Sequence, residues 1–171
     1  MSDEVDALVS AWQRERPDLD VAPMHVLSRV TRLARHLDIA RREAFAAHDL
    51  EAGEFDVLAA LRRSGKPYEL SPSQLIAANL VTSGTMTNRI DRLEEKNLVT
   101  RKPDPNDGRG VLVKLTASGQ SAVDAALTDL LDRERELLSG ISKTERNQLA
   151  DVLRQIVLPF DQEAISEFSD E

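Results

Sequence analysis

The sequence predicts a mainly α-helical fold carrying one small β-hairpin, and three observations predict it. Apolar residues recur at helical spacing over most of the chain, and several of those stretches open on serine or threonine start signals. Only two short runs, LVTRK and VLVKL, read as strands, and they flank the turn-rich PDPNDGRG. At 171 residues the chain can bury a core as one domain with helical extensions.

Val5, Leu8, Val9 and Trp12 fall at i, i+3, i+4 and i+7, a short amphipathic helix that RPDLDVAP breaks. A long helix follows, with Val26, Val30, Leu33, Leu37, Ala40 and Ala44 in a seam suited to helices of its own chain or of a partner. His48-Asp49-Leu50 turns into EFDVLAALRR, which Gly65 and Pro67 stop. Apolar side chains point nearly all the way round that helix, so it is expected to be buried on most sides. Asp56 then becomes a buried carboxylate in need of a partner.

Ser71-Pro72-Ser73-Gln74 combines a serine N-cap, a first-turn proline and a capping-box glutamine, opening a short helix to about Ala78. A second start at Thr82 or Ser83 opens helix 83–96, for which Asn97 is the left-handed cap. After the two strands, Thr116 caps a helix to about Leu138. Ser142-Lys143-Thr144-Glu145 is a capping box for the last helix, with Pro159 near its end and an acidic tail from Asp161.

Composition narrows the function. The absence of cysteine leaves no disulfide, thiolate metal site or thiol redox sensor, and His25, His36 and His48 lack metal-ligand spacing. No cofactor is expected. No apolar run is long enough to span a membrane, and the acidic start MSDEVDALVSAW lacks a leader's basic end and apolar centre, so a cytoplasmic location is expected. The net charge of −8 is uneven: residues 62–116 hold ten Lys/Arg against six Asp/Glu. An acidic chain with a basic segment can still contact phosphate through that segment. An enzyme is disfavoured, since no histidine is placed beside a plausible serine nucleophile and GRG at 108–110 lies in a hairpin turn, not a phosphate loop.

Short helix, tight turn, longer helix and basic hairpin, in that order, make a winged helix-turn-helix. Its second helix enters the DNA major groove, while the hairpin reaches the backbone or minor groove. Met86, Ile90 and Leu93 form the inward stripe of helix 83–96. The opposite side offers Thr85, Thr87 and Asn88 to base edges, and Arg92 is better placed for phosphate. Ser71, Ser73, Thr82 and Ser83, at the two helix starts, complete the DNA-facing set. Arg109, between two glycines, is free to enter a narrow minor groove, with Asp107 positioned to pre-set it. A helical protein-interaction module is the competing class, and the steep salt dependence of phosphate contacts separates the two.

SGTMTNRIDRLEEKNLVTRKPDPNDGRGVLVKLTASG resembles the winged-helix core of the MarR family of regulators, most recognisably in its Asp107-x-Arg109 wing followed by an apolar strand. The resemblance covers nearly the whole chain. It implies residues 49–116 as the winged helix-turn-helix, and 1–48 and 117–171 as helices joining a homodimer. Such a dimer binds double-stranded, pseudo-palindromic operator DNA, usually as a repressor released by a small ligand. In more detail the chain is similar to the urate-responsive subgroup: Trp12 in AWQRERPDLD, Asp56 in EFDVLAALRRSG, Arg89 in MTNRIDRL and Arg101 in LVTRKPDP match its motifs. That implies a small anionic effector, urate or a related purine, bound by these four. The four residues do not separate purines from citrate or aconitate.

The residues suggest how release would work. Arg89 sits at the border of the buried face, within reach of a carboxylate such as Asp56, and Arg101 shares strand parity with Val99. An entering anion is expected to compete with Asp56 for arginine and repel it. Like charges at ~4 Å in an effective dielectric of about 20 cost about 4 kcal/mol. That is ample for an effector–DNA coupling of about 1–3 kcal/mol.

Overall fold

The computed structural model describes residues 2–105 and 107–167; the side chains of 107–109 and 161–167 lie outside the described residues. Among the described residues, seven helices and a three-stranded antiparallel sheet follow the order α1 (Glu4–Glu15), α2 (Ala22–Ala46), α3 (Ala52–Arg63), β1 (Glu69–Leu70), α4 (Pro72–Asn79), α5 (Ser83–Glu95), β2 (Val99–Asp104), β3 (Asp107–Leu115), α6 (Ala117–Leu137) and α7 (Lys143–Glu167). The chain divides into two compact units, residues 1–131 and 132–171.

α3 is the centre of the first unit. Phe55 and every residue from Val57 to Leu61 are buried, and the Phe55 ring stacks on Phe45 of α2 with centroids 4.0 Å apart. Leu75 of α4, the Met86–Ile90–Leu93 stripe of α5, Val99 and Val113 of the sheet, and Val123 and Ala126 of α6 close the same core. The inward stripe is as the spacing predicts.

The start and stop signals act as read. Ser71 Oγ accepts the Gln74 N–H at 3.2 Å, and Gln74 Oε1 accepts the Ser71 N–H at 2.8 Å. Thr82 caps α5, and Asn97 follows it at φ 57°. Thr116 Oγ1 accepts the Gly119 N–H at 2.9 Å as α6 begins. Gly119 is required there, because a Cβ would stand 2.0 Å from the Leu98 carbonyl oxygen.

Three expectations need correction. The hairpin is longer than read: β2 and β3 extend into PDPNDGRG, pairing Pro103 with Val111 and Asp104 with Asp107. β2 is an edge strand in the order β1-β3-β2, so a proline without an N–H is tolerated. The two-residue β1, which periodicity did not reveal, pairs Glu69 with Lys114 and Leu70 with Val113. α7 does not end near Pro159 but continues to Glu167. One proline removes one donor and leaves the turns on either side able to close.

The amphipathic stripe of α1 is divided. Val5 and Val9 pack with Val21 and Met24, whereas Leu8 and Trp12 stay exposed. Arg29 of α2 joins α1 from the side, at 2.9 Å from Asp3 Oδ2 and 2.7 Å from Asp6 Oδ1. The first half of the α2 seam, Val26, Val30 and Leu33, faces outward with Leu27. In the second unit α7 likewise presents Leu149, Val152, Ile156 and Phe160.

Candidate nucleic-acid interface

α4 and α5 meet through Leu80, which takes the left-handed conformation at φ 50° and turns the chain sharply. With Met86, Ile90 and Leu93 buried, Ser83, Gly84, Thr85, Thr87 and Asn88 are left exposed on the first two turns of α5. Several hydroxyls already have local partners: Ser71 Oγ lies 2.8 Å from Ser73 Oγ, Thr82 Oγ1 lies 3.0 Å from Thr85 Oγ1, and Thr87 Oγ1 donates to the Ser83 carbonyl. These bonds fix rotamers at the surface and leave acceptor capacity outward. The backbone of Asp107 and Arg109 runs in β3, but their side chains, and so the expected wing contact, lie outside the described residues.

Most of the basic segment is neutralised by the protein itself. Arg62 pairs with Asp124 at 2.9 Å, and Lys102 and Lys114 both grip Glu69, at 2.6 and 3.0 Å. The two lysines, Lys102 foremost, hold the Glu69 carboxyl below the usual carboxylate range. Among the described residues of the segment, Arg63, Lys66 and Arg89 have no ion pair. A charge count along the sequence therefore overstates the field available to a phosphate.

Arg92, expected at a phosphate, is folded back onto α3. Its Nη1 donates to Glu51 Oε2 at 2.9 Å, Nη2 donates to Glu51 Oε1, and Nε lies 3.3 Å from Glu54 Oε1. Lys96, one turn later, donates to Glu54 Oε2 at 3.0 Å and to the Asp49 carbonyl at 2.6 Å. Glu54 Oε2 also accepts the Glu51 N–H at 2.9 Å.

Glu54, 1% exposed, is therefore the buried carboxylate of α3; Asp56 is not, its side chain being 43% exposed. The signal was in the spacing, since Glu54 precedes Leu58 by four and Leu61 by seven and so lies on their face. Asp56 is rotated about 200° from Glu54.

The latch expected between Asp56 and Arg89 is not formed. Asp56 Oδ1 pairs instead with Arg41 of α2, at 3.5 Å. The Arg89 guanidinium rests against the first turn of α3, where a Cβ on Gly53 would stand 2.5 Å from its Nε. Arg101 does lie on the inward-facing parity of β2, as Val99 does, but its fork is taken by Asp91 and Glu94 of α5, and its N–H donates to Glu94 Oε1 at 3.1 Å. Trp12 is on α1, 45% exposed. The structure thus sets Arg89 of α5 against α3 and Arg101 of β2 against α5, without gathering the four expected effector residues.

Comparison with known proteins gives this geometry its context. Residues 48–110 match the model of the MarR family. The chain is 39% identical over 153 residues to the transcriptional regulator PecS of Dickeya dadantii, covering 90% of this chain and 92% of that one. The chain belongs to the MarR family. This MarR-family regulator is also 31% identical to the transcriptional repressor NicR of Pseudomonas putida, over 81% of this chain and 89% of that protein. Its fold aligns with a mutant MarR of Escherichia coli complexed with operator DNA at a TM-score of 0.66 and 29% identity, covering 81% and 99% of the two chains. These relatives are transcriptional regulators of the helix-turn-helix type rather than enzymes, and one of them is solved on operator DNA. No helix among the described residues is long and apolar enough to cross a membrane.

Proposed function

We propose that this chain is a homodimeric repressor that inserts α5 into the major groove of a pseudo-palindromic operator and lets go when a small anion binds. The observation that carries the DNA reading is the division of α5: Met86, Ile90 and Leu93 inward, Thr85, Thr87 and Asn88 outward, in a fold aligned with a relative solved on operator DNA. Asn88 reads a base edge, with Ser71, Ser73, Thr82 and Ser83 at the flanking backbone. Arg109 occupies the minor groove, with Asp107 supporting it. Residues 49–116 form the reading unit, and the helices of 1–48 and 117–171 carry the dimer through their outward apolar faces.

The effector proposed is urate or a related purine, with Trp12, Asp56, Arg89 and Arg101 as the responsive residues. Their match to the urate-responsive subgroup supports this, as does the Arg89 guanidinium, which has no ion pair among the described residues. Guanidinium forks favour flat anions through paired hydrogen bonds.

Two measurements test the reading. Asn88→Ala weakens binding to the operator by about 1–3 kcal/mol, roughly 5- to 150-fold, while hardly changing binding to mixed-sequence duplex. Equal losses on both duplexes would remove Asn88 from base reading. Titrating urate, xanthine, citrate and aconitate against Trp12 fluorescence, with and without operator, identifies the anion, because Trp12 is the single tryptophan. No response to any of the four would end the effector assignment and leave the DNA assignment standing.

A further inference from the structure

Arg92 departs from α5 on the reading side yet does not point outward. It follows Asn88 by four residues, about 40° round the helix, so its stem leaves the face that offers Asn88 to a groove. The guanidinium then bends back to α3 and divides its two edges between two different carboxylates. The Nη edge forks onto Glu51, whose side chain is 63% exposed, and the Nε edge faces the buried Glu54. Glu54 is held on its other oxygen by Lys96 and the Glu51 N–H, so it cannot follow a moving arginine. The exposed Glu51 carboxylate is forked by the arginine and also stands in the capping box that opens α3.

We infer that Glu51 is a built-in competitor for a DNA backbone phosphate at the Nη edge of Arg92, while Glu54 keeps the Nε edge in either arrangement. A carboxylate and a phosphodiester present the same pair of acceptor oxygens to a planar fork, so one replaces the other with little reorientation of the arginine. The exchange sets a threshold on affinity: phosphate gains Arg92 only by displacing a bidentate carboxylate. The depressed acidity range of Glu51, caused first by its hydrogen bond to Arg92, fits a carboxylate that remains charged and competitive at neutral pH. The inference rests on the DNA reading above and deepens it, assigning Glu51 and Glu54 as positioning residues for a phosphate contact.

A double-mutant cycle tests it, using fluorescence anisotropy of the full chain on a labelled 30-base-pair mixed-sequence duplex at fixed salt. Phosphate contacts do not depend on sequence, so no operator is needed. Glu51→Gln keeps the side-chain shape and is expected to tighten binding about three- to fivefold, the scale of one exposed ion pair. In an Arg92→Ala background the same substitution is expected to give no gain. A gain that persists without Arg92 would show a general charge effect and overturn the exchange. So would unchanged or weaker binding by a Glu51→Gln protein whose circular dichroism and melting match wild type. If that variant does not fold, Glu51→Asp, which keeps the charge and shortens the reach, serves in its place, and failure of the Arg92-dependent gain is again decisive. Absence of wild-type binding to any duplex at low salt would overturn the DNA reading itself, a result distinct from the other two.

Discussion

α3 and the first half of α2 are both apolar helical stretches, and the protein treats them oppositely. Around α3, buried residues arrive from α2, α4, α5, α6 and the sheet, and the carboxyl side chain admitted among them, Glu54, lies against two cations, Arg92 and Lys96. Along α2, Val26, Leu27, Val30 and Leu33 meet water over roughly two-fifths or more of their surface. Both patterns satisfy the same periodicity rule, which reports that a face is apolar and not which chain covers it. The difference separates a part closed by its own chain from a part left open to solvent.

The sharpest way to break that comparison is to damage the closed part. Leu58→Ala, at a fully buried position, is expected to cost about 2–5 kcal/mol through lost transfer energy and the cavity left behind. Urea denaturation at several protein concentrations would read it, with the transition moved down at all of them. A loss below about 1 kcal/mol would mean that the core collapses around the gap and is less closed than its burial implies.

Damage to the open part should have another signature. Leu33→Asp leaves the single-chain core unaltered, because Leu33 is 39% exposed and belongs to neither buried cluster. If the α2 face joins two copies, the charge appears on both sides of an isologous contact. The dimer dissociation constant, read by sedimentation velocity, is then expected to rise at least ~10-fold, equivalent to about 1.4 kcal/mol. An unchanged constant would place the dimer surface elsewhere.

The same contrast explains what could be read in advance. Local rules were legible because their partners are near in sequence: Ser71 with Gln74, Thr82 before α5, Asn97 after it. The fold class followed from the order of those elements. What escaped was set by distant partners. β1 exists only because Lys114 and Val113 lie beside it, and the hairpin lengthened because β3 supplies the ladder for β2. In the site, the inward stripe of α5 was legible, whereas the ownership of each arginine was not. Arg92 finds two carboxylates about forty residues away, and Asp56 finds Arg41 rather than Arg89. Residue types at matching motifs name candidates for a site; which charges cancel is a property of the folded surface.

The smallest expected effect concerns the seam where the closed part touches its own surface charges. Glu51 is held below the usual carboxylate value of 4.5 because its hydrogen bond to Arg92 outweighs the opposing effect of burial, with smaller help from the fields of Arg92 and Lys96. The native state therefore binds this proton less readily than the unfolded chain does. Stability from the pair is complete above about pH 4.5 and is lost as pH falls through the depressed native value. Glu51→Gln removes the titrating group without changing its shape, so the melting temperatures of wild type and variant should differ most near pH 6 and converge towards pH 3. The exposure of Glu51 keeps the difference small, since solvent screens the pair. A constant difference across that range would mean that the carboxylate contributes through packing alone. A difference that grows towards acid would mean that Glu51 is stabilised in its protonated form, reversing the sign on which its competition for Arg92 depends.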